Sequence, residues 1–294
     1  MSLSTGTYQT INKQLSALLH QNNLTLKLEA VAGGSINKTY KIATTNKFFF
    51  CKINSATKFP QLFKKEEVGV QQIKDQHCIK TPAIISNLIE NDEQILILEW
   101  IDEGEKTISF WKRFGEQLAQ LHHSTNNYFG LNENNYMGAV PQLNHQQNSW
   151  VKFFIENRLQ PIIKNCFDKN LLSKKHLINF EKLYTLLPAD FNEEPPALLH
   201  GDLWSGNFLC NKNSEPVLID PALYYGHRST DLAMTTLFGG FHQSFYESYH
   251  FHFPLPANYP EQWEACNLYP LLIHLQLFGK SYLPNIENIL QQFD

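Results

Sequence analysis

The hydrophobic period of this chain changes once, close to residue 101, and that change limits it to a two-part fold, strands first and helices after. Before the change, segments 24–31, 39–43 and 47–53 are rich in aromatic and β-branched residues and are bounded by polar turns. Gly33-Gly34-Ser35 forms the first turn and Ala43-Thr44-Thr45-Asn46 the second. A helix is expected over about 59–76, with Leu62, Val70 and Ile73 on one side, and a strand pair over 84–88 and 94–100. The expectation is a small antiparallel sheet carrying one helix. Beyond Asp102, Phe110, Phe114, Leu118 and Leu121 recur every three or four residues, as do Leu177, Phe180, Leu183 and Leu187. A short β-like insert at 198–220 interrupts this helical part. The Asn/Gln/Gly-rich connection between Tyr128 and Asn148 is long for a compact fold, which marks it as a candidate functional segment. The expected division is therefore α+β and bilobal, with lobes 1–101 and 102–294.

Two lobes sharing a cleft suit a chain of 294 residues. With 43% hydrophobic and 18% charged residues, intrinsic disorder is excluded. The net charge of −4 and pI near 6.3 argue against nucleic acid or an anionic membrane as main partner. A local phosphate site needs no basic surface and stays open. No apolar run approaches the roughly 20 residues that span a bilayer, and the first ten residues lack a secretory pattern. Five scattered cysteines without a Cys-x-x-Cys pair read as reduced thiols of a cytoplasmic protein, with neither a zinc site nor a disulfide frame.

The densest constellation is Leu199-His200-Gly201-Asp202-Leu203-Trp204-Ser205-Gly206-Asn207, followed by Leu218-Ile219-Asp220-Pro221. An Asp and an Asn five positions apart, with glycines between, suit a tight loop whose polar side chains converge. A second Asp, after a short apolar strand, can reach the same point. Two oxygen donors suffice for Mg²⁺ when phosphates and water fill its other positions. The remaining Asp is then free to accept the proton of an attacking hydroxyl. Upstream, the glycines of Gly33-Gly34-Ser35-Ile36-Asn37 let backbone N–H groups approach phosphate oxygens. Lys52 lies inside the apolar strand Phe48-Phe49-Phe50-Cys51-Lys52-Ile53, where a charge needs a partner, and Glu66 on the following helix is a candidate.

These residues together resemble the protein-kinase-like phosphotransferases. More narrowly, the glycine turn, Lys52-Ile53-Asn54, Leu199 through Asn207, Leu218 through Pro221, Tyr224-Tyr225-Gly226-His227-Arg228 and Leu237-Phe238-Gly239-Gly240-Phe241 resemble the fructosamine kinase (ketosamine-3-kinase) family, over residues 30–283. The resemblance implies ATP and Mg²⁺ as cofactors. Lys52 would hold the α- and β-phosphates and be oriented by Glu66, with Glu67 one register slip away. Gly33, Gly34 and Ser35 would cover the phosphates, and the backbone at Glu99, Trp100 and Ile101 would bind adenine. Asp202 would be the catalytic base, and Asn207 and Asp220 the magnesium ligands. It further implies phosphorylation of a sugar hydroxyl of small or protein-bound ketosamines, as repair of glycation adducts.

Other conspicuous residues have plainer readings. His200 supports the catalytic loop, and Asp231 is an N-cap that, by the resemblance, also braces that loop. His122 and His123 read as a solvated pair ending a helix. Trp204, His227 and Arg228 are candidates for lining the acceptor pocket, and Trp150, Phe154 and Arg158 match the family pattern at core-like spacing. Two alternatives stand beside the ketosamine reading: a kinase of another small alcohol, such as an aminoglycoside, choline or homoserine, and an idle nucleotide-binding protein.

Overall fold

The computed structural model describes residues 3–22, 24–31 and 36–293. Its first lobe is an antiparallel sheet ordered β1-β2-β3-β5-β4, comprising β1 (Lys27–Ala30), β2 (Lys38–Ala43), β3 (Phe48–Ser55), β4 (Ile84–Glu90) and β5 (Glu93–Glu99). Successive strand side chains point to opposite faces. Along β5, Ile95 and Ile97 therefore enter one hydrophobic cluster, and Leu96 and Leu98 another. Helix α1 (Thr5–Leu19) covers the first face through Ile11 and Leu15, and α2 (Leu62–Lys74) covers the second through Leu62 and Phe63. The lobe thus carries two helices where the hydrophobic pattern led us to expect one. The signal lies in β5, whose unbroken run Ile95-Leu96-Ile97-Leu98 marks a strand buried on both faces.

Polar side chains fix α1 in place. Ser4 caps it by accepting from the Thr7 N–H at 3.1 Å, Thr10 donates to Glu90 at 2.9 Å, and Thr7 donates to Glu93. Helix α2 starts later than expected because Gln61 turns left-handed, with φ 60°, and so cannot belong to the helix.

The second lobe holds α3 (Ile108–His122), α4 (Trp150–Phe153), α5 (Gln160–Asp168), α6 (Lys174–Asp190), α7 (Ser229–Leu237), α8 (Gln243–His252), α9 (Tyr259–Phe278) and α10 (Leu283–Gln291). A π-helical turn, Phe154–Leu159, joins α4 to α5. Three ribbons are set among these helices: β6 (Asn135–Met137) with β7 (Val140–Gln142), β8 (Ala197–Leu199) with β11 (Tyr224–Gly226), and β9 (Phe208–Cys210) with β10 (Pro216–Leu218). Phe110, Phe114, Leu118 and Leu121 line the buried face of α3 and pack with Phe245 and Tyr249 of α8. The same cluster takes Ile73 and Ile79 from the first lobe, so the lobes share part of one core. Helix α9 is apolar around most of its circumference and lies at the centre of the largest cluster. No described helix is long and apolar enough to cross a membrane, and the five cysteines are free.

Candidate active site

Alternation along β3 sends Phe49, Cys51 and Ile53 toward α1 and leaves Lys52 on the opposite face, beside α2. Lys52 is only 2% exposed, and a buried ammonium requires counter-charge. Its Nζ lies 2.8 Å from Oε1 of Glu66 on α2 and also pairs with Asp220. Glu67 turns away, to Lys64 at 3.1 Å and to the Asn87 amide at 2.9 Å. Burial lowers the Lys52 pKa, but Asp220 and Glu66 outweigh it and hold the amine above its ordinary value. Burial raises Glu66 to about 7 against the pull of Lys52.

The loop after β8 is set by backbone bonds to a buried carboxylate. Asp231 accepts the N–H of His200 at 2.7 Å and of Gly201 at 2.8 Å. Gly201 has φ 83°, and a Cβ there would run into the carbonyl of Ala222, so only glycine fits. His200 donates from Nε2 to the Ile219 carbonyl at 2.8 Å and accepts the Asp202 N–H at Nδ1, which ties the loop to the segment carrying Asp220. This is a supporting role. Asn207 donates to the Asp202 carbonyl at 2.8 Å and to its carboxylate at 2.9 Å. Desolvation raises Asp202 to about 7; Asn207 opposes the shift, and the charges of Asp220 and Asp231 add to it. Asp220 adopts φ 56°, a left-handed conformation rare outside glycine and found where a site constrains the backbone.

Lys52, Glu66, Asp202, Asn207 and Asp220 all line one cavity of about 430 Å³ between the lobes. Gly33, Gly34 and Ser35 lie outside the described residues, and Glu99, Trp100 and Ile101 do not line the cavity. The N–H of Glu99 is donated within the sheet lobe, to the Ala83 carbonyl at 2.9 Å. Trp204, 37% exposed, lines the cavity together with Ile273, His274, Leu277 and Phe278 at the end of α9. Those four α9 residues continue an apolar helix, so nothing local in the sequence sets them apart. The hairpin β6–β7 contributes Asn135, Tyr136, Met137 and Gly138 to the same cavity.

Several plainer readings change. His122 is not solvated: it is buried, donating from Nε2 to Asp231 at 3.2 Å and accepting from the Tyr249 hydroxyl at 2.8 Å, while His123 is exposed. Asp231 is not an N-cap but the third residue of α7, with its carboxylate spent on the loop after β8 and on His122. His227 and Arg228 do not reach the cavity. Arg228 is buried against Glu194 at 2.8 Å and the Phe253 ring, and His227 is buried among Trp150, Phe191 and Glu194. Trp150 and Phe154 belong to the core, and Arg158 is fully buried beneath the β6–β7 hairpin.

Among the described residues no group of three or more acidic, His or Cys side chains could cage a metal. The donors present, the Asp220 carboxylate and the Asn207 amide oxygen, suit a cation completed by phosphates and water. Asn207 uses its N–H₂ on Asp202, which turns its oxygen away from that residue. The constellation combines a fixed cation, a carboxyl group near neutral pKa and two hard oxygen donors. That is the equipment for phosphoryl transfer to a hydroxyl.

The protein-family model described as Fructosamine kinase matches residues 7–293. A Synechocystis protein assigned as a ketoamine kinase is 35% identical over 295 residues, covering 98% of this chain and 97% of that one. The chloroplastic protein-ribulosamine 3-kinase of Arabidopsis thaliana is 32% identical, covering 91% of this chain and 82% of its own. A crystal structure of a Haemophilus somnus protein assigned as a fructosamine-3-kinase superposes with a TM-score of 0.88 at 25% identity, covering 98% of both chains. An aminoglycoside phosphotransferase, at 11% identity and a TM-score of 0.62 over 97% and 98% of the two chains, shares the fold alone.

Proposed function

The chain belongs to the fructosamine kinase family, and from that premise we propose that it transfers the γ-phosphoryl group of ATP to a sugar hydroxyl of ketosamines, as a step in removing glycation adducts. The observation that carries this reading is the convergence of Lys52, Glu66, Asp202, Asn207 and Asp220 on one cavity. In it, Lys52 holds the nucleotide phosphates and Glu66 orients the amine. Asp202 accepts the proton of the attacking hydroxyl, helped by a pKa raised toward neutrality. Asn207 and Asp220 hold Mg²⁺, which supplies charge neutralisation on the phosphates. Gly33, Gly34 and Ser35 complete the phosphate end, and adenine takes its hydrogen bonds from the backbone at Glu99, Trp100 and Ile101. We set the lobe boundary at 101/102, between the end of β5 at Glu99 and the start of α3 at Ile108. A cytoplasmic location is supported by the five free cysteines.

Preference for ketosamines over aminoglycosides rests on the acceptor wall. An acceptor with several ammonium groups calls for several carboxylates, whereas among the described residues Glu66, Asp202 and Asp220 are the acidic ones lining the cavity, two of them engaged at the phosphate end and Asp202 at the attacking hydroxyl. The wall beyond Asp202 is Trp204, Ile273, His274, Leu277 and Phe278. The expected kcat/KM for a ribulosamine, erythrulosamine or fructosamine exceeds that for an aminoglycoside by at least about 10²-fold, about 2.7 kcal/mol. An ATP-consumption screen across these acceptors and choline tests the proposal. Comparable efficiency on a kanamycin-like acceptor would replace it with an antibiotic kinase, and no turnover on any acceptor would favour the idle protein.

A further inference from the structure

The long polar connection between α3 and α4 folds into the β6–β7 hairpin, which touches both elements that carry the carboxylate partners of Lys52. On one side Tyr136 donates its hydroxyl to the Pro60 carbonyl at 3.1 Å, just ahead of α2, and Glu133 pairs with Lys65, the residue preceding Glu66. On the other side Asn135 donates to the Leu223 carbonyl at 2.8 Å, and Gln142 donates to the Ala222 carbonyl at 3.0 Å, just beyond Asp220. Asn135 is the pivot. Its Oδ1 accepts from Gln142 and from Asn144, each at 2.9 Å, and Asn144 is held in turn by the buried Arg158 at 2.8 Å. At the start of α2 Gln61 supplies no side-chain cap, and the Phe63 N–H is taken instead by the Gln94 amide oxygen of β5 at 3.2 Å, so the hairpin's bond to Pro60 adds a second outside hold, from the other lobe.

We propose that the hairpin is a positioning element for the reaction, with Asn135 as its positioning residue: it fixes the separation of Glu66 and Asp220, and so the place of the Lys52 amine toward the nucleotide phosphates. The inference rests on the role proposed above for Lys52, and it makes Asn135 act through Glu66 rather than by touching substrate.

The test is a double-mutant cycle between Asn135→Ala and Glu66→Gln, read in two ways: affinity for a non-hydrolysable ATP analogue with Mg²⁺, and thermal midpoint. Asn135→Ala is expected to weaken nucleotide binding about tenfold in the wild-type background and less than about twofold once Glu66 is Gln, since no oriented carboxylate is left to misplace. The fall in thermal midpoint should be the same in both backgrounds. Equal losses of affinity in the two backgrounds, or a stability loss with affinity within twofold of wild type, would overturn the proposal. Should Asn135→Ala not fold, Tyr136→Phe removes only the hydroxyl bond to Pro60, and its smaller affinity loss must likewise vanish beside Glu66→Gln. Because nucleotide binding needs no acceptor, the outcome is separate from the function itself. A wild-type protein inert toward every ketosamine would refute the substrate reading and leave this cycle readable. Turnover on ketosamines with an additive cycle would refute the hairpin's role alone.

Discussion

Asn207 donates two hydrogen bonds to Asp202, one to its carbonyl at 2.8 Å and one to its carboxylate at 2.9 Å, so the residue proposed to hold the metal also holds the proposed base. Replacing Asn207 by Ala should therefore lower turnover at saturating Mg²⁺ as well as weaken metal-dependent binding. Asp220→Ala should damage metal-dependent nucleotide binding more severely, because a carboxylate contributes charge and an amide only its oxygen. Magnesium titrations of nucleotide binding and of kcat for the two variants check this; an Asn207→Ala protein restored to full turnover by excess Mg²⁺ would separate the metal and base roles.

Asp202→Asn keeps the size of the side chain and an oxygen for Asn207 to bond, but removes the proton acceptor. ATP affinity should stay close to wild type while turnover falls by about 10²–10⁴-fold, the range of general acid–base catalysis. Steady-state kinetics with a ketosamine, alongside nucleotide titration, gives both numbers, and near-normal turnover removes Asp202 from the mechanism.

Lys52→Met and Glu66→Gln should fail to add in their effects on kcat/KM, because Glu66 has no cation left to orient once the amine is gone. Glu67→Gln should behave almost as wild type, since Glu67 bonds Lys64 and Asn87 instead. Strictly additive losses at 52 and 66 would show that the 2.8 Å pair is not a functional unit.

His227 is buried with its pKa lowered to about 4 by desolvation, with Glu194 at 3.7 Å pulling the other way and Arg228 reinforcing the shift. An unfolded histidine titrates near 6.5, so between pH 6.5 and about 4 the unfolded chain binds more protons than the folded one. The stability due to the neutral ring is complete above pH 6.5 and is lost as the pH falls toward 4. Thermal midpoints of the wild type and of His227→Gln, measured from pH 7 to 4.5, should show the wild type falling more steeply. Parallel curves would mean that His227 takes up its proton at the same pH in the folded and the unfolded chain, so that burial does not shift it.

What could be read from the sequence, and what could not, follows the distance between partners along the chain. Asp202, Asn207 and Asp220 lie within nineteen positions, so their spacing alone brings them toward one point. Lys52 is conspicuous as one charge inside an apolar strand. By contrast, His122 meets Asp231 from 109 positions away, and Asn135 meets Leu223 from 88, and no local period reports such contacts. The α9 residues at the cavity are missed because a helix apolar over most of its surface does not reveal which of its side chains faces an opening. His227 and Arg228 look functional for the opposite reason, as polar residues close to Asp220, yet the chain turns into the core right after Ala222.

With no side chain at Gly201, the backbone of the loop after β8 lies directly against the backbone at Ala222, and His200 bonds the carbonyl of Ile219. The loop carrying Asp202 and the segment carrying Asp220 are therefore joined in one stiff block. Any widening of the cavity moves the sheet lobe against this block and parts Lys52 from Asp220. Such a motion also has to part Tyr136 from Pro60 and Glu133 from Lys65. Those two contacts are individually weak, a hydroxyl bond and a partly exposed ion pair, whereas the core shared through Ile73 and Ile79 and the Lys52–Asp220 pair tie the lobes more firmly.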